Sequence, residues 1–199
     1  MLQYLIYFLT LINPFALFFY LLPLKEERGL SDFIKIVLRA SFITFVIYCV
    51  FALFGEWIFT DLLNVNFDSF RIFGGMVLLG TALNSIVWGK RAVVATKGEM
   101  NHVATQIALP FMVGASTITM SILIGRELGD LAAIFSIGSV LATSFAIIVT
   151  LALMRSSLKP PYKDGLDRTM EIVVRLNGFF VGSIGVDIII RGFEKLLSN

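Results

Sequence analysis

Long runs of apolar residues, set apart by short clusters of charge, dominate this chain. Six runs approach the roughly 20 residues that a helix needs to cross a bilayer: about 2–24, 36–59, 70–89, 103–125, 130–154 and 172–193. The connections between them are short and leave no room for a separate soluble domain. The pattern predicts an all-α integral membrane protein in which residues 1–199 form one transmembrane domain of six helices.

Two of the six runs carry a backbone breaker in mid-membrane. The first reads MLQYLIYFLTLINPFALFFYLLPL and has no charge, yet Asn13-Pro14 lies at its centre. The fourth has Pro110 followed by GASTIT at 114–119. Proline removes one bond of the helix ladder and clashes with the carbonyl four residues back, so acceptors near residues 9 to 11 should be exposed. Irregular backbone at membrane depth is tolerated only where it faces protein or a water-filled cavity. A kink that serves packing alone is the plain alternative for Pro14.

Composition sharpens the membrane assignment. The chain is 57% hydrophobic and 15% charged, with a mean hydropathy of +0.88; soluble domains are about 45–50% apolar and about 25% charged. The formal net charge of +2 gives no sign of a nucleic-acid partner, because the cations sit in loops beside the spans; the expected partner is the lipid bilayer. The sole cysteine, Cys49, lies inside the second span and excludes an internal disulfide. The first run lacks the basic start of a secretory signal and has too long an apolar stretch, so it is read as a retained span.

Loop charges orient the chain, since cytoplasmic loops are rich in Lys and Arg. Lys25, Arg28, Lys35 and Arg39 lie around the first connection, Lys90, Arg91 and Lys97 in the third, and Arg155, Lys159, Lys163 and Arg168 in the fifth. The other side offers Arg71, Arg126, Arg191 and Lys195. The richer loops are expected in the cytoplasm, which places both termini outside it and the protein in the cell (inner) membrane. Trp57 and Trp88 then fall near opposite interfaces.

Six spans divide into two groups of three, which must insert in opposite senses if they are related. The third span opens FRIFGGMVLLGTALNSI and the sixth VRLNGFFVGSIGVDIII. Each has an Arg three residues before a Gly (Arg71 and Gly74, Arg175 and Gly178) and then one polar group, Asn84 or Asp187. The expected architecture is an inverted 3+3 repeat, residues 1–92 and 103–199, with helices 1 and 4 broken near the midplane. Interrupted spans at matching places in inverted halves point to a substrate site there.

The candidate substrate-binding residues are Asn13, Pro14, Phe15, Pro110, Gly114, Ala115, Ser116, Thr117 and Thr119. Free N–H groups at the start of a half-helix suit a carboxylate, hydroxyls and the Asn13 amide add donors and acceptors, and freed carbonyls suit an ammonium group. Asn84 and Asp187 are the candidate coupling or gating residues. Asp187 is the one acidic residue well inside a span, and a carboxylate there is either functional or the partner of a nearby cation. Gly74, Gly75, Gly178 and Gly182 are read as close helix contacts, Arg71 and Arg175 as interfacial anchors that snorkel, and His102 as a solvated histidine at a span boundary. No catalytic or metal-binding motif occurs, so no enzyme activity, catalytic residue or bound metal is expected.

The runs LINPFALFFYLL, RIFGGMVLLGTALNSI, ALPFMVGASTIT and RLNGFFVGSIGVDIIIRG together resemble the MarC family of six-span membrane proteins, in order and over nearly the whole chain. The resemblance implies a fold distantly similar to the LysE-type exporters. It also implies transport of small neutral amino acids, chiefly alanine and glycine, coupled to Na+ or H+, with no other cofactor. A small zwitterion is the implied ligand, and a homo-oligomer is compatible with the family. Phe18 and Phe19 stand where many relatives have a second proline, and Gly114-Ala115-Ser116 where many read GPG. The alternatives that remain are a small-cation or metal-ion carrier and a non-transport accessory subunit.

Overall fold

A computed structural model describes residues 2–87 and 99–197, apart from the side chains of Pro110, Phe111, Pro160 and Pro161. Trp88, Lys90, Arg91 and Lys97 lie outside the described residues. The described chain is all helical and contains no strand. Its α-helices are α1 (Leu2–Ile12), α2 (Pro14–Tyr20), α3 (Leu22–Trp57), α4 (Phe67–Val87), α5 (Met100–Gln106), α6 (Ala115–Leu128), α7 (Asp130–Ser157) and α8 (Pro160–Leu197). Short π-helical turns follow α3 (Ile58–Leu62) and α5 (Ile107–Met112).

Among the described residues, five segments are long and apolar enough to cross a membrane: Leu2–Tyr20, Leu22–Leu62, Phe67–Val87, Asp130–Ser157 and Tyr162–Leu197. The fourth run expected from sequence, 103–125, is not one continuous helix. It is divided into α5, the π-turn and α6, because residues 109, 113 and 114 leave helical geometry. Helices α3 and α8 also begin well before the runs at 36 and 172, since a helix can continue past the apolar core into the polar zone.

Within α3, Gly29 adopts φ 77° and ψ 170°, and Gly129, between α6 and α7, adopts φ 77° and ψ 166°. A side chain at either place would be strained, because only glycine takes such backbone freely. Each glycine thus turns the chain into a long apolar helix, at residue 30 and at residue 130.

The main core joins α1, α2, α3, α5, α6 and α7 around Phe8, Phe18, Phe33, Tyr48, Ile107, Ile124 and Ile137, all 0% exposed. Helices α4 and α8 lie along one another through glycine. A Cβ added to Gly75 would fall 2.8 Å from the Gly185 carbonyl oxygen, and one added to Gly185 would fall 3.0 Å from that of Gly75. Farther along, Gly178 faces Ala82 and Ile86, and Gly192 faces Ile72. Backbones meet this closely only where residues are small, as the sequence pattern implied.

Ionic contacts join helices distant in sequence at two ends of the bundle. At one end Arg155 binds both Asp167 oxygens, at 2.9 and 3.0 Å, and Glu26 at 2.9 Å. At the other, Arg126 pairs with Glu56 at 3.2 Å. Arg71 does not snorkel: its side chain is only 15% exposed and sits 3.8 Å from Asp68. Arg175 is half-exposed and pairs with Glu171 at 2.8 Å. His102 is exposed on α5.

Candidate functional site

The first break follows from two adjacent residues. A residue before proline is disfavoured in the right-handed helical region, and asparagine is among the few that tolerate the left-handed one. Asn13 takes φ 49° and ψ 71°. The Ala16 N–H then turns to the Asn13 side chain, donating to Oδ1 at 3.1 Å and capping α2, with Pro14 at its first position. The carbonyl stranded by the absent Pro14 N–H is that of Thr10, and Asn177 Nδ2 on α8 lies 3.4 Å from it.

Pro110 has the same effect on its neighbour, since Leu109 is extended at φ −120° and ψ 115°. The Val113 N–H bonds back five residues to Ala108, at 2.8 Å, and Val113 and Gly114 are extended. Helix α6 starts at Ala115 with glycine as its N-cap, so no cap side chain covers its leading N–H groups. Thr117 Oγ1 accepts the Gly114 N–H at 2.9 Å and lies 3.2 Å from the Met112 carbonyl. The Tyr48 hydroxyl, from α3, donates to that same carbonyl.

Between the two breaks lies a cavity of about 650 Å3, within the roughly 300–1,000 Å3 of small-molecule sites. Its polar wall holds Asn13, Gly114, Ser116 and Thr117 from the breaks and Thr81, Asn84 and Ser85 from α4. Leu11, Ile12, Leu17, Val77, Leu78 and Val181 supply apolar wall, and Tyr20, Met112 and Gly178 complete contacts at its edge. No charged side chain lines it among the described residues. Gly74 lets α4 approach: a Cβ there would lie 2.9 Å from Thr119 Oγ1 and 3.3 Å from the Ala115 carbonyl oxygen.

The structure therefore brings Asn13, Gly114, Ser116, Thr117 and Asn84 together around one space. The remaining candidates fall elsewhere. Pro14 is buried and Phe15 packs against the core, outside the cavity lining. The Ala115 carbonyl accepts from Thr119 Oγ1 at 2.9 Å, so both serve the helix and its contact with Gly74. Pro110 belongs to the break by its backbone; its side chain lies outside the described part. Asp187 does not line the cavity. It pairs with Arg191, one turn on, at 2.9 Å, which is the structural-partner alternative. The Asn13 side-chain oxygen is engaged in the α2 cap.

Tyr48 and Asn177 were not among the residues expected here. Their signals were present: Tyr48 lies four residues after Thr44 in an apolar span, one polar stripe on a helix, and both reach Met112. Asn177 sits beside Gly178 in the sixth run.

The membrane-length apolar helices define a multi-pass integral membrane protein, with a cavity between its two interrupted segments that no charged side chain lines among the described residues. The chain belongs to the MarC family: the profile of the MarC family integral membrane proteins matches residues 1–197. It is similar to a UPF0056 membrane protein of Pyrococcus horikoshii, 28% identical over 96% of this chain and 92% of that one. A UPF0056 membrane protein of Methanocaldococcus jannaschii is 25% identical over 94% and 93% of the two chains, and one of Aquifex aeolicus 24% over 96% and 91%. No solved structure gives a significant match.

Proposed function

We propose that this protein is a transporter of small neutral amino acids, of the size of alanine and glycine, working by alternating access around the cavity between the two breaks. The observation that carries the reading is the lining itself. The amides of Asn13 and Asn84, the hydroxyls of Thr81, Ser85, Ser116 and Thr117 and the start of α6 face a space that no charged side chain among the described residues lines, between two proline-interrupted segments. A zwitterion needs donors for its carboxylate and acceptors for its ammonium, and no ionised partner that would favour a charged side chain. The α6 N–H groups and Ser116 suit the carboxylate. The backbone carbonyls beside Asn13 suit the ammonium, and the Asn13 Nδ2 group is a further donor.

In this reading the segment 100–128 counts as a sixth span, and residues 1–92 and 103–199 form two inverted three-helix halves whose first helices are interrupted near the midplane. Support for the repeat comes from Gly29 and Gly129, which share one unusual backbone conformation at corresponding places. The N-caps of the helices that follow the two breaks, Asn13 and Gly114, lie 16 and 15 positions before them. The loop charges favour both termini outside the cytoplasm, and the reading takes the protein as an inner-membrane carrier coupled to Na+ or H+. A carrier of small cations is less well supported, because no carboxylate lines the cavity among the described residues.

The test is uptake of radiolabelled alanine and glycine into proteoliposomes, with sodium and proton gradients varied separately. Accumulation driven by one of these gradients, competed by glycine and alanine and not by lysine or glutamate, is the expected result. Absence of uptake under every gradient would refute the proposal.

A further inference from the structure

A second cavity, of about 510 Å3, opens where α3, α4, α6 and α8 meet, and it shares no lining residue with the neutral one. Glu56, Asn64, Asn66, Asp68, Arg126 and Lys195 face it. The loop before α4 is fixed by Asn64 in the left-handed region (φ 52°) and by the Asn66 Oδ1 atom, which accepts the Asp68 N–H at 2.8 Å.

Asp68 is the informative group. The residue is 6% exposed, and its Oδ1 atom accepts no hydrogen bond. Its ion pair, to Arg71 at 3.8 Å, is too long to be a hydrogen bond, and Arg71 Nε also lacks a partner. A buried carboxylate with so loose a pair is unfavourable, and Asp68 also lines the cavity, from which a further donor can come. Across the space, Arg126 is held by Glu56 at Nε and lies over the Phe67 ring, 5.8 Å from its centroid. A guanidinium has five N–H donors, so the pair with Glu56 leaves others for a ligand.

The charges discriminate among ligands. A bare metal ion would meet two cationic side chains beside two carboxylates, and no group of three His, Cys, Asp or Glu able to hold a metal occurs among the described residues. A simple anion would meet Glu56 and Asp68. A molecule carrying both signs finds a partner for each.

We propose that this mixed-charge cavity is a second binding site for a small zwitterionic amino acid, its ammonium on Asp68 and its carboxylate on Arg126. The proposal rests on the amino-acid reading above and adds a peripheral station at one mouth of the protein. The test is equilibrium binding of radiolabelled alanine to the purified full chain in detergent, read as molecules bound per chain. Wild type binds two. Asp68→Asn and Arg126→Gln each bind one, Ser116→Val binds one by losing the central site, and Asp68→Asn combined with Ser116→Val binds none. Arg126 is one-third exposed (35%), so its variant reports on the site even where Asp68→Asn fails to fold. One molecule per wild-type chain, lost in Ser116→Val and kept in Arg126→Gln, overturns the second site and leaves the central one standing. A wild-type chain that binds no alanine overturns the transport reading and this site together.

Discussion

Replacing Asn13 separates what the left-handed backbone contributes from what the side chain contributes. Asn13→Ala removes the Oδ1 acceptor 3.1 Å from the Ala16 N–H, and loss of an N-cap costs about 0.5–2 kcal/mol. It also forces a Cβ-bearing residue without a compensating side chain to hold φ 49°, at about 1–2 kcal/mol. The sum is roughly 1.5–4 kcal/mol. Asn13→Gly also loses the side chain, but glycine is a fair N-cap and takes the left-handed region freely, so the loss stays under about 1 kcal/mol. For a chain of this size 1 kcal/mol corresponds to about 2–4 °C of melting temperature. In detergent the alanine variant should therefore melt roughly 3–16 °C below wild type and the glycine variant within about 4 °C. Both variants lose the same amide from the cavity, so alanine affinity should fall alike in both, by about 3- to 10-fold for a hydrogen bond of 0.5–1.5 kcal/mol. Equal melting losses in the two variants, or an unchanged Asn13→Ala, would refute the account of this break.

Two glycines on α4 should respond oppositely to alanine. At Gly75 the new methyl would fall 2.8 Å from the Gly185 carbonyl oxygen, and overpacking should lower stability by about 1–3 kcal/mol; at Gly80 nothing lies within 4 Å, and stability should rise by about 0.5–1 kcal/mol. Thermal melts of both purified variants decide it. Asp187→Asn breaks a pair whose side chains are 45% and 59% exposed, worth less than about 1 kcal/mol, so melting and gradient-driven accumulation in proteoliposomes should both persist. Loss of accumulation with exchange intact would instead make Asp187 a coupling group.

The membrane character was legible because runs of some twenty apolar residues have no other economical home. The Asn13-Pro14 break was legible too, since proline acts on its neighbours whatever surrounds it. The division of 103–125 was harder to foresee. Pro110 marks the place, but the extended geometry carried on through Val113 and Gly114 depends on Tyr48 and Thr117 receiving the Met112 carbonyl, and those are tertiary contacts. Depth along a helix says nothing about the direction in which Asp187 faces; the Arg191 four residues later was the available clue to its ion pair. Gly29 sits among charges, where a turn looks ordinary, and its match with Gly129 emerges only from the dihedral angles.

The glycine contact between α4 and α8 has a mechanical meaning. Where Gly75 and Gly185 touch, two backbones meet with almost nothing between them, so neither helix can slide or separate there without losing the contact outright. On the transport reading, that point behaves as a fulcrum. Opening of the cavity to either side would come from tilting of α1–α2 and α5–α6 relative to the α4–α8 pair, with displacement growing with distance from Gly75. The residues that see the largest excursion would then be those at the two ends of the bundle, where Arg155 and Arg126 tie the helices together with bonds that water can replace.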